Sequence, residues 1–213
     1  LDSSSETIDQ LGHEYEALSA KLKAEADVLT SVRVAAANRL AELVTAELKE
    51  LAMGGASLVV EIGYADAYGS YGQDSVSIQL SSYPGAEPRP LGKGASGGEL
   101  SRIMLAIEVV LAETQQAPTF IFDEVDAGVG GAAAIEVGRR LAMLAQRAQV
   151  IVVTHLAQVA AYANAHLRVL KTSSVDFTAT DVVSLDAQAR IEELARMLSG
   201  LSDSESGLAH AAE

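Results

Sequence analysis

Asp123 and Glu124 follow at once on the apolar run "TFIF". Two consecutive carboxylates at the end of a buried strand are costly unless something offsets their charge. In nucleotide hydrolases a Mg2+ ion does so: the first carboxylate holds the metal or its water, and the second polarises the attacking water. An exposed acidic turn is the plainer alternative. A second apolar run, "VIVVT", ends in Thr154 and is followed by His155. Alone that histidine is incidental; beside an Asp-Glu strand end in the same sheet it is a candidate sensor of a terminal phosphate. The third candidate is Ser96-Gly97-Gly98-Glu99, just ahead of a helical pattern. Ser96 and Glu99 are spaced as a capping box. Capping does not explain Gly97 and Gly98 in the first turn, where each costs about 1 kcal/mol of helix propensity relative to Ala. A glycine pair there lets another backbone or a phosphate come close, and the helix dipole favours an anion.

These residues need a frame to hold them. Leu100, Ile103, Met104, Ile107 and Leu111 give the helix after Ser96 an apolar stripe. "PTFIF" and "VIVVT" are short, β-branched and flanked by helical patterns, as expected of strands buried on both faces of a parallel sheet. Upstream, Leu58, Val60 and Ile62, then Val76, Ile78 and Leu80, alternate with neighbours of the opposite face, predicting two strands. "YADAYGSYGQD" between them reads as a loop, and "SSYPGAEPRPLGKGA" as a Pro/Gly-rich connection. The expected fold is α/β: a mostly parallel sheet flanked by helices, with an antiparallel piece.

Residues 5–51 contain no Pro and only one Gly, Gly12. Apolar or near-apolar residues recur there as Ile8, Leu11, Tyr15, Leu18, Leu22, Leu29, Val32 and Ala36. Glu25 interrupts this heptad seam, and the phase slips by one to Leu40, Val44, Leu48 and Leu51. The implied rod is roughly 65 to 70 Å long. It reads as one arm of a coiled coil, residues 1–53, leading into a lobe of residues 54–213; the alternative is an amphipathic helix lying across its own domain.

The 213 residues carry a net charge of −14, no Cys and no Trp. Zero Cys excludes disulfides, thiolate metal sites and Cys nucleophiles, and agrees with a cytoplasmic setting. The charge argues against a broad nucleic-acid footprint on this chain, since phosphate binding needs clustered Lys and Arg. No apolar run approaches a membrane span and no leader pattern is visible, so no membrane partner is expected.

In fixed order, "ASGGELSR", "FIFDEVDAGVGG" and "VVTHLAQVAAYA" resemble the signature motif, the Walker B strand with its D-loop, and the switch histidine of ABC-type ATPases. The match is closer still to the SMC-like branch with coiled-coil arms, and within it to a bacterial DNA-repair member, which the late "IEELARMLSG" also resembles. It covers nearly the whole chain, most weakly residues 1–40 and 64–75. Ala95 stands where many signatures have Leu, and "AGVGG" departs from the D-loop of the larger members; both departures favour the repair member.

The resemblance implies ATP and Mg2+ as cofactors, and a role in DNA double-strand-break repair and recombination. It implies that Asp123 binds Mg2+ through water, that Glu124 is the general base, that His155 contacts the γ-phosphate and that Asp126 crosses a dimer interface. Ser96, Gly97 and Gly98, with Glu99 in the same segment, would close over ATP held by the opposite head. Arg102, one turn on, either joins that site or faces nearby glutamates. Nothing here forms a Walker A loop. Gly92-Lys93-Gly94 comes nearest, but Lys93 is followed by Gly instead of Ser or Thr and the glycine five residues upstream is missing. The implied partners are therefore an N-terminal half carrying Walker A and an outgoing arm, a second head joined through ATP, and DNA reached through the full protein, in the cytoplasm at the nucleoid. Another SMC- or Rad50-type head, or a non-catalytic dimerisation scaffold, are the competing readings.

Overall fold

The computed structural model describes residues 2–93, 95–112, 119–173 and 178–199. Gly94 of the incomplete phosphate loop, Pro118 ahead of "TFIF" and residues 200–213 of the expected lobe lie outside them. The first element, α1, runs Asp2–Glu50 as one unbroken helix, about 74 Å at 1.5 Å per residue. It stops in a left-handed turn at Ala52, φ +59°, where the Met53 N–H reaches back to the Leu48 carbonyl at 2.9 Å. That is a Schellman ending built on alanine where glycine is usual.

The seam of α1 divides in two. Ile8, Leu11, Tyr15, Leu18, Leu22 and Val32 are all exposed, from 49% at Leu22 to 73% at Tyr15, whereas Val44, Leu48 and Leu51 are fully buried. The covered face begins earlier than the expected slip and in the other phase: Ala26 and Ala37 are buried while Val32 and Ala36 are exposed. A strand hairpin causes this.

Strands β1 (Ser57–Gly69) and β2 (Gly72–Ser81) pair antiparallel from Ser57↔Ser81 to Gly69↔Gly72, with an irregularity between Tyr64 and Gly69. Most of the expected loop is therefore strand, and the hairpin end reaches α1. Asp74 accepts from the Thr30 hydroxyl at 2.6 Å and from Arg33 Nη1 at 2.8 Å, and its side chain is almost fully covered. Gly72, at φ +94°, lies so close that a Cβ would sit 2.9 Å from Leu29 Cδ2. Only glycine meets both conditions. Val76 and Ile78 are exposed, and Leu80 alone of that trio is buried.

A two-residue β3 (Arg89–Pro90) pairs with β2. Helix α2 (Gly97–Leu111) follows, then β4 (Thr119–Phe122), α3 (Ala132–Ala145), β5 (Gln149–Val152) and the single turn α4 (Ala157–Ala160). The parallel part of the described sheets is β4 with β5, in register Phe120↔Val150 and Phe122↔Val152. One face of the pair packs inward through Phe122 and its neighbours. The other is bare: Ile121, Ile151 and Val153 are exposed, so the expected burial on both faces does not hold among the described residues. Strands β6 (Leu167–Ser173) and β7 (Thr178–Ser184) form an antiparallel pair, and α5 (Ala187–Ser199) closes the described chain. Buried Glu193 holds α5 to β6 through Arg168 at 3.2 Å. Arg196 at 2.6 Å keeps its carboxyl below the usual range.

The core does not respect residue 53. Val44, Leu48 and Leu51 share one cluster with Ile103, Leu105, Phe122, Val125, Val137 and Leu141. Arg140 of α3 also donates to Glu47 of α1 at 3.0 Å. The base of the long helix is thus a core element of the lobe.

Candidate functional site

The three motifs, distant in sequence, meet at one end of β4 and β5. Ser96 caps α2: its hydroxyl accepts from the Glu99 N–H at 3.4 Å, and Glu99 Oε2 accepts from the Ser96 N–H at 2.8 Å. Chiefly through that backbone N–H, the Glu99 carboxyl is held below its usual range. Ser96 and Glu99 therefore build the helix start that the capping spacing predicts. Gly98 has a local cause, and Gly97 abuts only the movable end of the exposed Glu124 side chain. A Cβ on Gly98 would stand 2.7 Å from Ala127 Cβ and 3.0 Å from the Glu124 carbonyl, and one on Gly97 would stand 2.8 Å from Glu124 Oε2. What comes close to the first turn of α2 is the chain's own turn after β4.

Two side chains lock this junction. The Ser101 hydroxyl donates to the Asp123 carbonyl and Arg102 Nη1 to the Ala127 carbonyl, each at 2.7 Å. Arg102 is 6% exposed, turned from solvent and still within reach of the Glu99 charge. Burial lowers the affinity of its guanidinium for a proton, and its Nε is buried without a partner.

Asp123 and Glu124 are both exposed, so the burial cost expected of the pair does not arise in this chain alone. Glu124 has φ +57°, a left-handed conformation costing a side-chain-bearing residue roughly 1 kcal/mol or more. It persists because Val125 and Asp126 beyond it are buried and Ala127 N–H closes a turn onto the Glu124 carbonyl at 3.0 Å. Among the described residues no group of three His, Asp or Glu side chains could cage a metal. Mg2+ needs no such cage: one or two carboxylates with phosphate oxygens and water suffice, and the adjacent Asp123 and Glu124 fit that donor set.

Asp126, which the resemblance implies at a dimer interface, is bonded within this chain. At 2% exposure it is turned inward, where its Oδ2 accepts from the Thr154 hydroxyl at 2.5 Å and the His155 N–H at 3.1 Å. His155 Nδ1 lies 3.2 Å from the same oxygen, while the His155 side chain remains 72% exposed. Composition and spacing do not single out Ser101 as a tie of this site. A polar residue interrupting the buried stripe of α2 was the one available signal, at Arg102.

No family model matches this chain. It is 53% identical over 212 residues to the DNA repair protein RecN of Streptomyces coelicolor, covering 94% of this chain and 37% of that protein. To the RecN proteins of Mycobacterium leprae and Vibrio cholerae it is 46% identical over 234 residues and 41% over 214, in each case across 100% of this chain and 39% of the relative. Its fold is similar to the Smc head domain with a coiled coil and joint from Pyrococcus yayanosii, with a TM-score of 0.56 at 21% identity, over 79% of this chain and 30% of that one. It is also similar to the Smc head with an extended coiled coil, bound to the C-terminal domain of ScpA, from Pyrococcus furiosus (TM-score 0.50, 20% identity, 78% and 39% covered).

Mixed helix and strand with a long N-terminal helix is thus the fold of an SMC-type head. Within that class the chain belongs to the family of RecN DNA repair proteins and fits their C-terminal part. It spans 37 to 39% of the length of the curated relatives it matches. Among the described residues no helix is long and apolar enough to cross a membrane.

Proposed function

We propose that this chain is the returning arm (1–53) and C-terminal lobe (54–213) of an ATPase head that acts in DNA double-strand-break repair at the nucleoid. The observation that carries this is the convergence of Ser96–Glu99, Asp123-Glu124 and His155 on one strand end, tied by Ser101, Arg102 and Asp126. Its complement is an N-terminal half bearing the Walker A loop, and the bare face of β4 and β5 with the bare seam of α1 are the surfaces such a half would cover. When bound, Mg2+ supplies charge neutralisation on the nucleotide phosphates. Asp123 would hold it through water, and Glu124 would take the proton of the attacking water. His155 contacts the γ-phosphate. The N-terminus of α2 closes over the nucleotide of a second head, since a helix start is a ready anion site. The close fit of Gly98 to residues 124–127 keeps that helix start and the acidic pair moving together.

The test uses the full-length protein. Glu124→Gln is expected to bind ATP and join heads by light scattering while hydrolysing about 10²-fold more slowly, the scale of a lost general base. Asp123→Asn is expected to bind Mg-ATP poorly. Hydrolysis at the parent rate by Glu124→Gln refutes the assignment and favours the scaffold reading. This chain alone is expected neither to hydrolyse ATP nor to bind duplex DNA tightly at physiological salt, given its charge of −14.

A further inference from the structure

We infer that Asp126 is a positioning residue for His155: it fixes the imidazole through Nδ1 and leaves Nε2 as the corner offered to a phosphate or its attacking water. The inference rests on the ATPase reading above and goes beyond it in assigning Asp126 to this chain's own site instead of to an interface.

Two hydrogen bonds converge on one carboxylate oxygen, and a ring nitrogen of His155 lies beside it. The His155 N–H at 3.1 Å sets the backbone after β5, and Nδ1 at 3.2 Å sets the ring. The Thr154 hydroxyl donates to the same oxygen at 2.5 Å. A buried carboxylate needs donors, and Thr154 with the His155 N–H already supplies two. The third approach, from Nδ1, is different in kind. It comes from a ring that is 72% exposed, has water available to it and gains little packing from being held still. Ordering it costs side-chain entropy that burial of Asp126 does not require. With the proton on Nδ1 this approach closes into a hydrogen bond, and Nε2 is then the nitrogen that faces outward. The carboxylate itself is fixed: Asp126 is 2% exposed, and Val125 before it is fully buried. Its own carbonyl accepts from the Val129 N–H at 3.2 Å. The hold therefore runs from the strand end carrying Asp123 and Glu124 directly to the strand end carrying His155.

The experiment is a double-mutant cycle in the full-length protein, with Asp126→Asn, His155→Gln and both together, read as steady-state ATP hydrolysis and as Mg-ATP affinity. Asp126→Asn is expected to lower kcat by about 10- to 100-fold, the range for groups that orient a functional histidine, with Mg-ATP affinity unchanged. The double variant is expected to be no slower than His155→Gln alone, because Asp126 acts through the ring. If Asp126→Asn does not fold, Thr154→Val, which leaves the carboxylate and removes only the hydroxyl bracing it, is taken through the same cycle with the same less-than-multiplicative outcome. Parent-like kcat in Asp126→Asn, or losses that multiply in the double variant, overturn the positioning role. Glu124→Gln, run in parallel, separates the two levels: if it hydrolyses at the parent rate, the ATPase reading falls and this inference with it. If it is slow while the cycle is multiplicative, the positioning role alone falls.

Discussion

The two halves of α1 carry the same kind of apolar seam and meet opposite fates. From Ile8 to Leu22 the seam faces solvent, and from Val44 to Leu51 it is sealed in the core. Heptad spacing is equally regular in both. The difference lies in what the rest of the chain supplies: the proximal half has α2, α3 and β1 to pack against, and beyond the hairpin brace at Asp74 the described chain offers nothing. An apolar stripe therefore measures the capacity to be buried. Only the chain around it determines whether this polypeptide or another does the burying.

The largest test of that contrast is a matched pair of truncations. Leu48→Ala is expected to cost about 2–5 kcal/mol in urea denaturation, and Leu18→Ala to stay within about 0.5 kcal/mol; equal costs would erase the distinction. Hydrogen exchange gives a second test. Amides of residues 8–22 should exchange at least roughly 10²-fold faster than those of residues 44–51, because an unpartnered helix end opens locally without unfolding the core. Uniform protection along α1 would mean that the outer half is stabilised by self-association.

The boundary between the halves can be probed by pH. The Thr30 hydroxyl first, and then Arg33, hold the Asp74 carboxyl below its usual range. A carboxyl depressed in the folded state stabilises fully above its unfolded value of about 4, and that contribution is lost as pH falls through the lower folded value. The parent should thus exceed Asp74→Asn in urea midpoint at pH 7 and converge with it in acid; a gap that persists undiminished there would show that the brace does not depend on the charge. The smallest effect belongs to the helix end. Ala52→Gly relieves a left-handed alanine, φ +59°, and is expected to raise stability by up to about 1 kcal/mol, visible as a higher urea midpoint. A lowered midpoint would mean that the alanine methyl packs usefully.

Much of the site was readable before any fold was known. Ser96 to Glu99, Asp123, Glu124 and His155 are punctuated by glycine and by strand ends, and order along the chain brought them together. The capping box was legible because its partners are three residues apart. What the sequence hid was relational. Gly97 and Gly98 look the same whether a phosphate or residues 124–127 lie against them, and the close approach to Ala127 is a tertiary fact. Asp126 sits in an acidic, glycine-bearing stretch that reads as exposed, and its inward turn depends on Thr154, 28 residues away. "YADAYGSYGQD" is rich in turn formers and by composition shortens the hairpin, yet the hairpin end docks on Leu29, Thr30 and Arg33. Those contacts repay extending the strands.

The bare β4–β5 face has a consequence for the chain as a colloid. Ile121, Ile151 and Val153 form a sticky surface, and a charge of −14 keeps like copies apart at a range set by the Debye length. That range is about 30 Å at 0.01 M salt and about 3 Å at 1 M. Salt that weakens long-range repulsion leaves hydrophobic contact intact. The isolated chain should therefore stay dispersed in dilute buffer and cluster as salt rises, the reverse of a protein held together by ion pairs.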